Sequence, residues 1–443
     1  MSLKYLIDSK YIPDDGAKEV IKNFAEKTEA DIIIFPDVHM KKGALIANGM
    51  LISSKTNIYL SCLGVENCGY TFGIIRNKDN DSLVESFASF SKILRERSTL
   101  LKYTKNDILN IFDLYLADEF KKKQFLYEFL GFNSLNELIN TAHVILDEHL
   151  LQVAANSLCT LGGGNHFFEV HKIVDVYEDS DLKIGDYIYM LHSDSIAVGD
   201  IIYELFSDLH EMRRTGYLKE RLRVAKFQYY QKKYFKNICK LDSAIEKDLH
   251  LILNPRDNYQ AIDIRTPLGK VLMLAHNLSS VFGEMNRDAI IREWSESQEI
   301  EHVKMGSHSH DNITVELHDG EIRMVHRNGV QDIGQDSICI LPSAMGDYSF
   351  IMRNTFNEEA YYSTNHGTGR MQDKHIAKES YTEQQTEEEL KEKRVALFRV
   401  GNGNLAEQNM KAFKEPIGIV EQMEINNLAK RVARTYPIAV IKG

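Results

Sequence analysis

Strand-length apolar runs alternate with longer stretches of helical spacing along the 443-residue chain, and no segment repeats at a fixed period. That alternation predicts strands covered by helices, a mixed α/β or α+β architecture, and excludes solenoids and propellers. Residues 30–36, 57–62, 187–191, 338–342 and 395–400 read as short strands ending at turns. Residues 83–101, 134–156 and 271–292 carry apolar positions at three and four spacing and read as covering helices. Residues 383–394 form a charged run whose spacing predicts a solvent-facing helix.

Composition narrows the class further. With 43% hydrophobic residues, 26% charged residues and only 7 prolines, the chain is neither disordered nor fibrous. No run approaches the ~20 apolar residues of a membrane helix, and residues 1–10 lack a basic flank followed by an apolar core. A soluble, non-exported protein is expected. A soft prior of ~150 residues per domain allows two or three domains, yet no composition shift marks a boundary. Five cysteines, odd in number and irregularly spaced, disfavour a disulfide framework and predict a reducing compartment, read here as the cytoplasm.

The formal net charge of −11 argues against a non-specific nucleic-acid coat protein. The charge is uneven, however. Between Arg213 and Lys240 ten basic residues face one acid, Glu220, and Tyr217, Phe227, Tyr229, Tyr230, Tyr234 and Phe235 interleave with them. Such a segment offers phosphate contacts and stacking surfaces together, and it equally fits a helix with a wet basic face.

Chemistry is expected where residues of poor propensity cluster at strand ends and glycine turns. Pro36-Asp37-Val38-His39 is one such place, and Gly64-Val65-Glu66-Asn67-Cys68-Gly69 follows it. A carboxylate two positions before a cysteine suits a metal that accepts oxygen and sulfur, and the cysteine alone also fits a buried inert thiol. In Leu161-Gly162-Gly163-Gly164-Asn165-His166-Phe167-Phe168-Glu169, consecutive glycines let backbone amides approach an anion, with an amide and an imidazole directly after them. His192-Ser193-Asp194-Ser195 puts a histidine at a strand exit, as ligand or as core residue. In Ser363-Thr364-Asn365-His366-Gly367-Thr368-Gly369-Arg370, an imidazole can reach phosphorus while a guanidinium steadies its oxygens.

Together these stretches resemble, in order, those of the RtcB RNA ligases. The similarity takes in 36–39, 64–69, 161–170, 192–195, Asn286-Arg287, Asn312-Ile313, 326–329, 342–349, 366–370 and the terminal 437–443. Gly-Asn-His-Phe, His-Gly-x-Gly-Arg and Val-Ile-Lys-Gly are the sharpest matches. The resemblance implies a single α/β (mixed α+β) domain, residues 1–443, around a buried metal cleft. It implies ligation of RNA 3′-phosphate or 2′,3′-cyclic phosphate ends to 5′-hydroxyl ends, with GTP as co-substrate and manganese(II), in two ions, as cofactor.

By the same resemblance His366 is the nucleophile that carries GMP. Cys68, His166 and His192 are metal ligands, and Asn165, Glu169, Ser349, Arg370 and Lys442 hold the nucleotide. RNA with broken ends is the implied partner, with an activating protein as a further one. The chain departs from the family pattern at four places. Glu66-Asn67-Cys68 is one residue shorter than Asp-x-x-Cys. His310 and Asp311 share the place of one metal histidine. Ile196 replaces an arginine, and Ser343 and Ala344 replace a glycine and a serine. A metal-dependent phosphoesterase and an RNA-binding paralogue without ligation are the alternative readings, and zinc accepts the same donors as manganese.

Overall fold

The computed structural model describes residues 2–8, 11, 15–40, 45–62, 67–96, 103–178, 180–194, 197–199, 201, 259 and 261–443. Gly43, Gly64, Glu66, Ser195, Ile196 and the basic stretch 213–240 lie outside the described residues.

Strands and helices alternate as the apolar spacing predicts, in a mixed α/β arrangement. One sheet orders β1 (Leu3–Tyr5), β2 (Asp31–His39), β3 (Asn48–Ser54), β11 (Glu321–Asn328) and β10 (Asp311–His318). The larger sheet runs β13 (Ile338–Leu341), β14 (Ser349–Asn354), β17 (Ala429–Lys442), β6 (Phe167–Val176), β7 (Tyr187–Ser193), β5 (Gly69–Arg76) and β9 (Glu301–Ser309). On β17, β16 (Ala396–Arg399) adds a parallel partner. Two short ladders pair β4 (Asn57–Tyr59) with β8 (Ala261–Asp263), and β12 (Val330–Asp332) with β15 (Ser363–Asn365).

The central strands are buried on both faces, which is why they read as continuous apolar runs. From β5, Tyr70, Phe72 and Ile74 join Ile188, Met190 and Val440 on one side. The other side meets α2 (Asn80–Arg95) and the 31-residue α7 (Pro267–Ser297). There Phe87, Phe168, Tyr189 and Trp294 pack with neighbouring centroids 4.9–6.4 Å apart. Each such side chain contributes roughly 1.5–3 kcal/mol by burial.

The helix expected over 271–292 runs longer, Pro267–Ser297, and three other expectations change in kind. Residues 134–156 form two helices, α5 (Leu135–Ile145) and α6 (Glu148–Ser157), because Asp147 caps the second by accepting from the Leu150 amide at 2.9 Å. Residues 57–62 are strand only through Tyr59, then a 3-10 turn, Leu60–Cys62. The charged helix spans Glu383–Glu392 and is not wholly solvated. Thr386 and Leu390 are buried, and Glu383 pairs with Arg399 at 2.9 Å.

Candidate active site

The register of the large sheet gathers the singled-out residues at one end of its strands. Tyr70 pairs with His192 and also with His308, while Phe167 pairs with His192. Cys68 therefore precedes β5, His166 precedes β6, and His192 lies near the end of β7, all at adjacent strand ends. His310 sits where the chain passes from β9 in one sheet to β10 in the other. Its amide donates to the Cys68 carbonyl at 2.9 Å, and its carbonyl accepts from Val330 at 2.9 Å.

Helix α7 holds this corner from behind. Asn286 donates to the carbonyls of Thr160 and Asp194 and to Ser193 Oγ at 2.8–3.1 Å. Asn67, at φ 42, is tied to the same helix: it donates to Ser279 Oγ at 2.8 Å and accepts from Ser280 Oγ at 3.0 Å. Gly69 leaves room for Arg287, whose guanidinium carbon would lie 2.9 Å from an added Cβ.

The result is a buried nitrogen–sulfur cluster. Cys68 Sγ lies 3.3 Å from His166 Nε2, and His192 Nε2 lies 2.9 Å from His310 Nε2. Donor atoms of Cys68, His192 and His310 all fall within 4.8 Å of one another, as do those of Cys68, His166 and Asp194. Burial, reinforced by neighbouring cationic groups, pushes His166 down to about 3 and His192 well below the ordinary histidine range. Neutral rings carry ligand lone pairs. Two facing Nε2 atoms at 2.9 Å need a shared proton or cation, and His192 Nδ1 has no hydrogen-bond partner among the described residues. Buried imidazoles with a cysteine sulfur and a carboxylate fit a borderline divalent ion.

His366 follows β15 and faces this cluster, its ring 5.1 Å from that of His310. Its Nδ1 lies 2.6 Å from Asp37 Oδ2, and its backbone amide donates to the same oxygen at 3.2 Å. Burial disfavours charge on the ring, but the Asp37 carboxylate outweighs it and raises the pKa. A ring that donates from Nδ1 carries its neutral-state lone pair on Nε2.

The family described as tRNA-splicing ligase RtcB matches residues 21–443. The chain belongs to the RtcB family. The RNA-splicing ligase RtcB of Mycobacterium tuberculosis is 22% identical over 326 residues, 67% of each chain. The tRNA-splicing ligase RtcB of Methanococcus maripaludis is 24% identical over 321 residues, 65% of this chain and 60% of that one. Its Pyrococcus horikoshii counterpart is 24% identical over 325 residues, 66% of this chain and 34% of that one. These identities make it a divergent RtcB member.

Two of the remaining RtcB-matched residues, Asn165 and Lys442, adjoin His166. Asn165 is half-buried on the glycine turn just before His166. Lys442 is buried, donates to the His166 carbonyl at 2.9 Å, and is pushed down to about 7 by burial despite the attraction of Glu169. An added Cβ on Gly443 would fall 1.7 Å from the Gly162 carbonyl oxygen, so the terminal residue packs directly on the glycine run. Glu169 Oε2 meets His171 Nε2 at 2.8 Å, and Ser349 Oγ accepts from the Ser343 amide at 3.0 Å. Arg370 donates from Nη1 to the Glu407 carbonyl and covers the Phe413 ring, while its buried Nη2 has no partner among the described residues.

The two candidates for one metal histidine separate in space. His310 joins the cluster. Asp311 instead accepts from the Gly329 amide at 2.7 Å and stands 3.5 Å from His310 Nδ1, outside both donor groups. Two further carboxylates were not assigned roles from sequence. Asp194, read only as part of a strand-exit motif, lies 3.3 Å from His166 Nδ1. Asp37 meets His366 across 329 positions, and only its place at a strand end in a Pro-Asp-Val-His stretch marked it.

Proposed function

We propose that this RtcB member joins RNA ends through a guanylylated His366. The observation that carries the proposal is the 2.6 Å contact of Asp37 with His366 Nδ1, beside a buried cluster of Cys68, His166, His192 and His310. Asp37 holds the ring so that Nε2 attacks the α-phosphorus of GTP; the nitrogen–phosphorus bond forms as pyrophosphate leaves. An oxygen of the RNA 3′-phosphate, opened first from a 2′,3′-cyclic phosphate where needed, then takes the guanylyl group and frees His366. Attack of a 5′-hydroxyl on the activated 3′-phosphate closes the strand and releases GMP.

Arg370 Nη2 steadies phosphate oxygens, and Asn165 donates to them from the glycine turn. Glu169, Ser349 and Lys442 hold the nucleotide. Two manganese(II) ions, held by Cys68, His166, His192 and His310 with Glu66 and Asp311 as further oxygen donors, would neutralise the triphosphate. The four cysteines among the described residues are buried and form no disulfide with one another, in keeping with work in the reducing cytoplasm. An activating protein is a further partner under this reading.

The test offers RNA with 3′-phosphate or 2′,3′-cyclic phosphate and 5′-hydroxyl ends to purified protein with GTP and manganese. Joining that requires GTP supports the proposal. Cyclic-phosphate opening without joining, indifferent to GTP, would replace ligation by phosphoesterase activity.

A further inference from the structure

The Pro-Asp-Val-His stretch does more than supply Asp37. Strand β2 pairs regularly with β3 as far as Ile34 opposite Met50, and the next pair is His39 opposite Asn48. Five steps on β2 thus face two on β3, and residues 35–38 leave the ladder as a bulge that carries Asp37 toward His366. A bulge strands backbone carbonyls that need other partners. Side chains meet three in succession. Lys414 Nζ donates to the carbonyls of Pro36 at 3.1 Å and Val38 at 2.8 Å. His39 Nδ1 reaches the Asp37 carbonyl at 2.8 Å.

The hydrogen bonds fix the direction of every donor in this chain. A backbone carbonyl only accepts, so Asn328 Nδ2 must be the group facing the Ala47 carbonyl at 2.8 Å. The same Nδ2 faces Asn48 Oδ1 at 3.2 Å, which turns Asn48 Nδ2 toward His39 Nε2 at 3.1 Å. His39 then accepts at Nε2 and donates from Nδ1, the neutral tautomer that the Asp37 carbonyl also demands. Gly369, at φ 78, closes the other side: a Cβ there would stand 2.3 Å from the Asp37 carbonyl oxygen.

We infer that His39, locked as its Nδ1–H tautomer by Asn48 and Asn328, is a positioning residue that with Lys414 holds the bulge aiming Asp37 at His366. The inference rests on the guanylylation proposed above for its kinetic consequence, though not for the tautomer. His39 itself performs no proton transfer, because both ring nitrogens are engaged.

Two side chains separate this role from simple packing, since an asparagine amide mimics the Nδ1 donor and a glutamine amide mimics Nε2. His39→Asn should form the GMP adduct within about threefold of the wild-type maximal rate. His39→Gln and His39→Ala should lose about tenfold, the cost of one hydrogen bond, with the KM for GTP unchanged. Equal losses in all three variants, or a loss confined to KM, would overturn the inference. Nitrogen-15 NMR of ring-labelled histidine in the unmodified protein should show His39 protonated at Nδ1 and bare at Nε2; protonation at Nε2 would also overturn it. If the wild type forms no adduct at all, guanylylation fails while the spectrum still judges the relay.

Discussion

Two sets of buried polar groups differ in how fully they are satisfied. Around Arg327 every guanidinium donor has a partner. Nε reaches Ser363 Oγ at 3.0 Å, Nη1 reaches Thr314 Oγ1 at 2.7 Å and Glu316 Oε1 at 2.6 Å, and Nη2 reaches the Tyr361 carbonyl at 3.0 Å and Asp332 at 3.5 Å. By contrast, His192 Nδ1, Asp37 Oδ1, Glu169 Oε1 and Arg370 Nη2 are buried without hydrogen-bond partners among the described residues. A saturated network fixes backbone: Arg327 ties β10 and β11 to the segment that leads into His366. An unsaturated one is costly to keep empty-handed, so its place in the fold points to a ligand that completes it.

The contrast breaks first at Arg327. Arg327→Met should destabilise the protein by about 2–4 kcal/mol, because the half-buried Glu316 and Asp332 lose the guanidinium between them and Ser363, Thr314 and the Tyr361 carbonyl lose a partner; a denaturant titration measures it, and a loss below about 1 kcal/mol would remove Arg327 as the tie between β10, β11 and the segment before His366. Next comes pH. Burial disfavours the Glu316 carboxylate, but Arg327, joined by hydrogen bonds from His318 and Thr314, outweighs it and holds the group down to about 2, against an ordinary value of 4.5. A depressed carboxylate stabilises fully above its unfolded pKa and stops doing so as pH falls through the folded one. The stability advantage of wild type over Glu316→Gln should therefore be on the order of 2 kcal/mol at neutral pH and shrink between pH 4.5 and about 2.

The unsaturated side should respond in binding and hardly in stability. Cys68→Ser is expected to weaken manganese binding by more than the roughly 10–100-fold that loss of an outer partner causes, since a neutral hydroxyl replaces a thiolate. Its metal-free stability should stay within about 1 kcal/mol of wild type. Calorimetric titration with manganese decides; unchanged affinity would remove Cys68 from the cluster. Asp194→Asn should show the smallest effect, about tenfold in the same titration, because it removes a carboxylate charge beside His166 and leaves Cys68, His166, His192 and His310 in place.

The same contrast governs what could be read from the sequence. The helix expected over 271–292, which spans Pro267–Ser297, and the strand expected over 187–191, which spans Tyr187–Ser193, were legible because apolar periodicity reports burial directly. Cys68, His166, His192 and His366 were legible as oddities, residues of weak propensity at strand ends. The division at Asp147 went unread because helical spacing continues on both sides of the cap, although an aspartate ahead of Glu148 was the available signal. The pairing of Asp37 with His366 was unreadable from either end: neither periodicity nor motif spacing encodes a contact that the bulge in β2 creates. Asp194 looked like one polar residue in a short motif, and only the register of β6 against β7 places its carboxylate beside His166.

Mapping the covalent adduct tests the central claim most directly. After incubation with α-labelled GTP and manganese, acid-labile and alkali-stable label should be found on the peptide bearing His366, and His366→Ala should take up none while keeping its fold. Label on any other residue, or undiminished labelling of His366→Ala, would contradict the account.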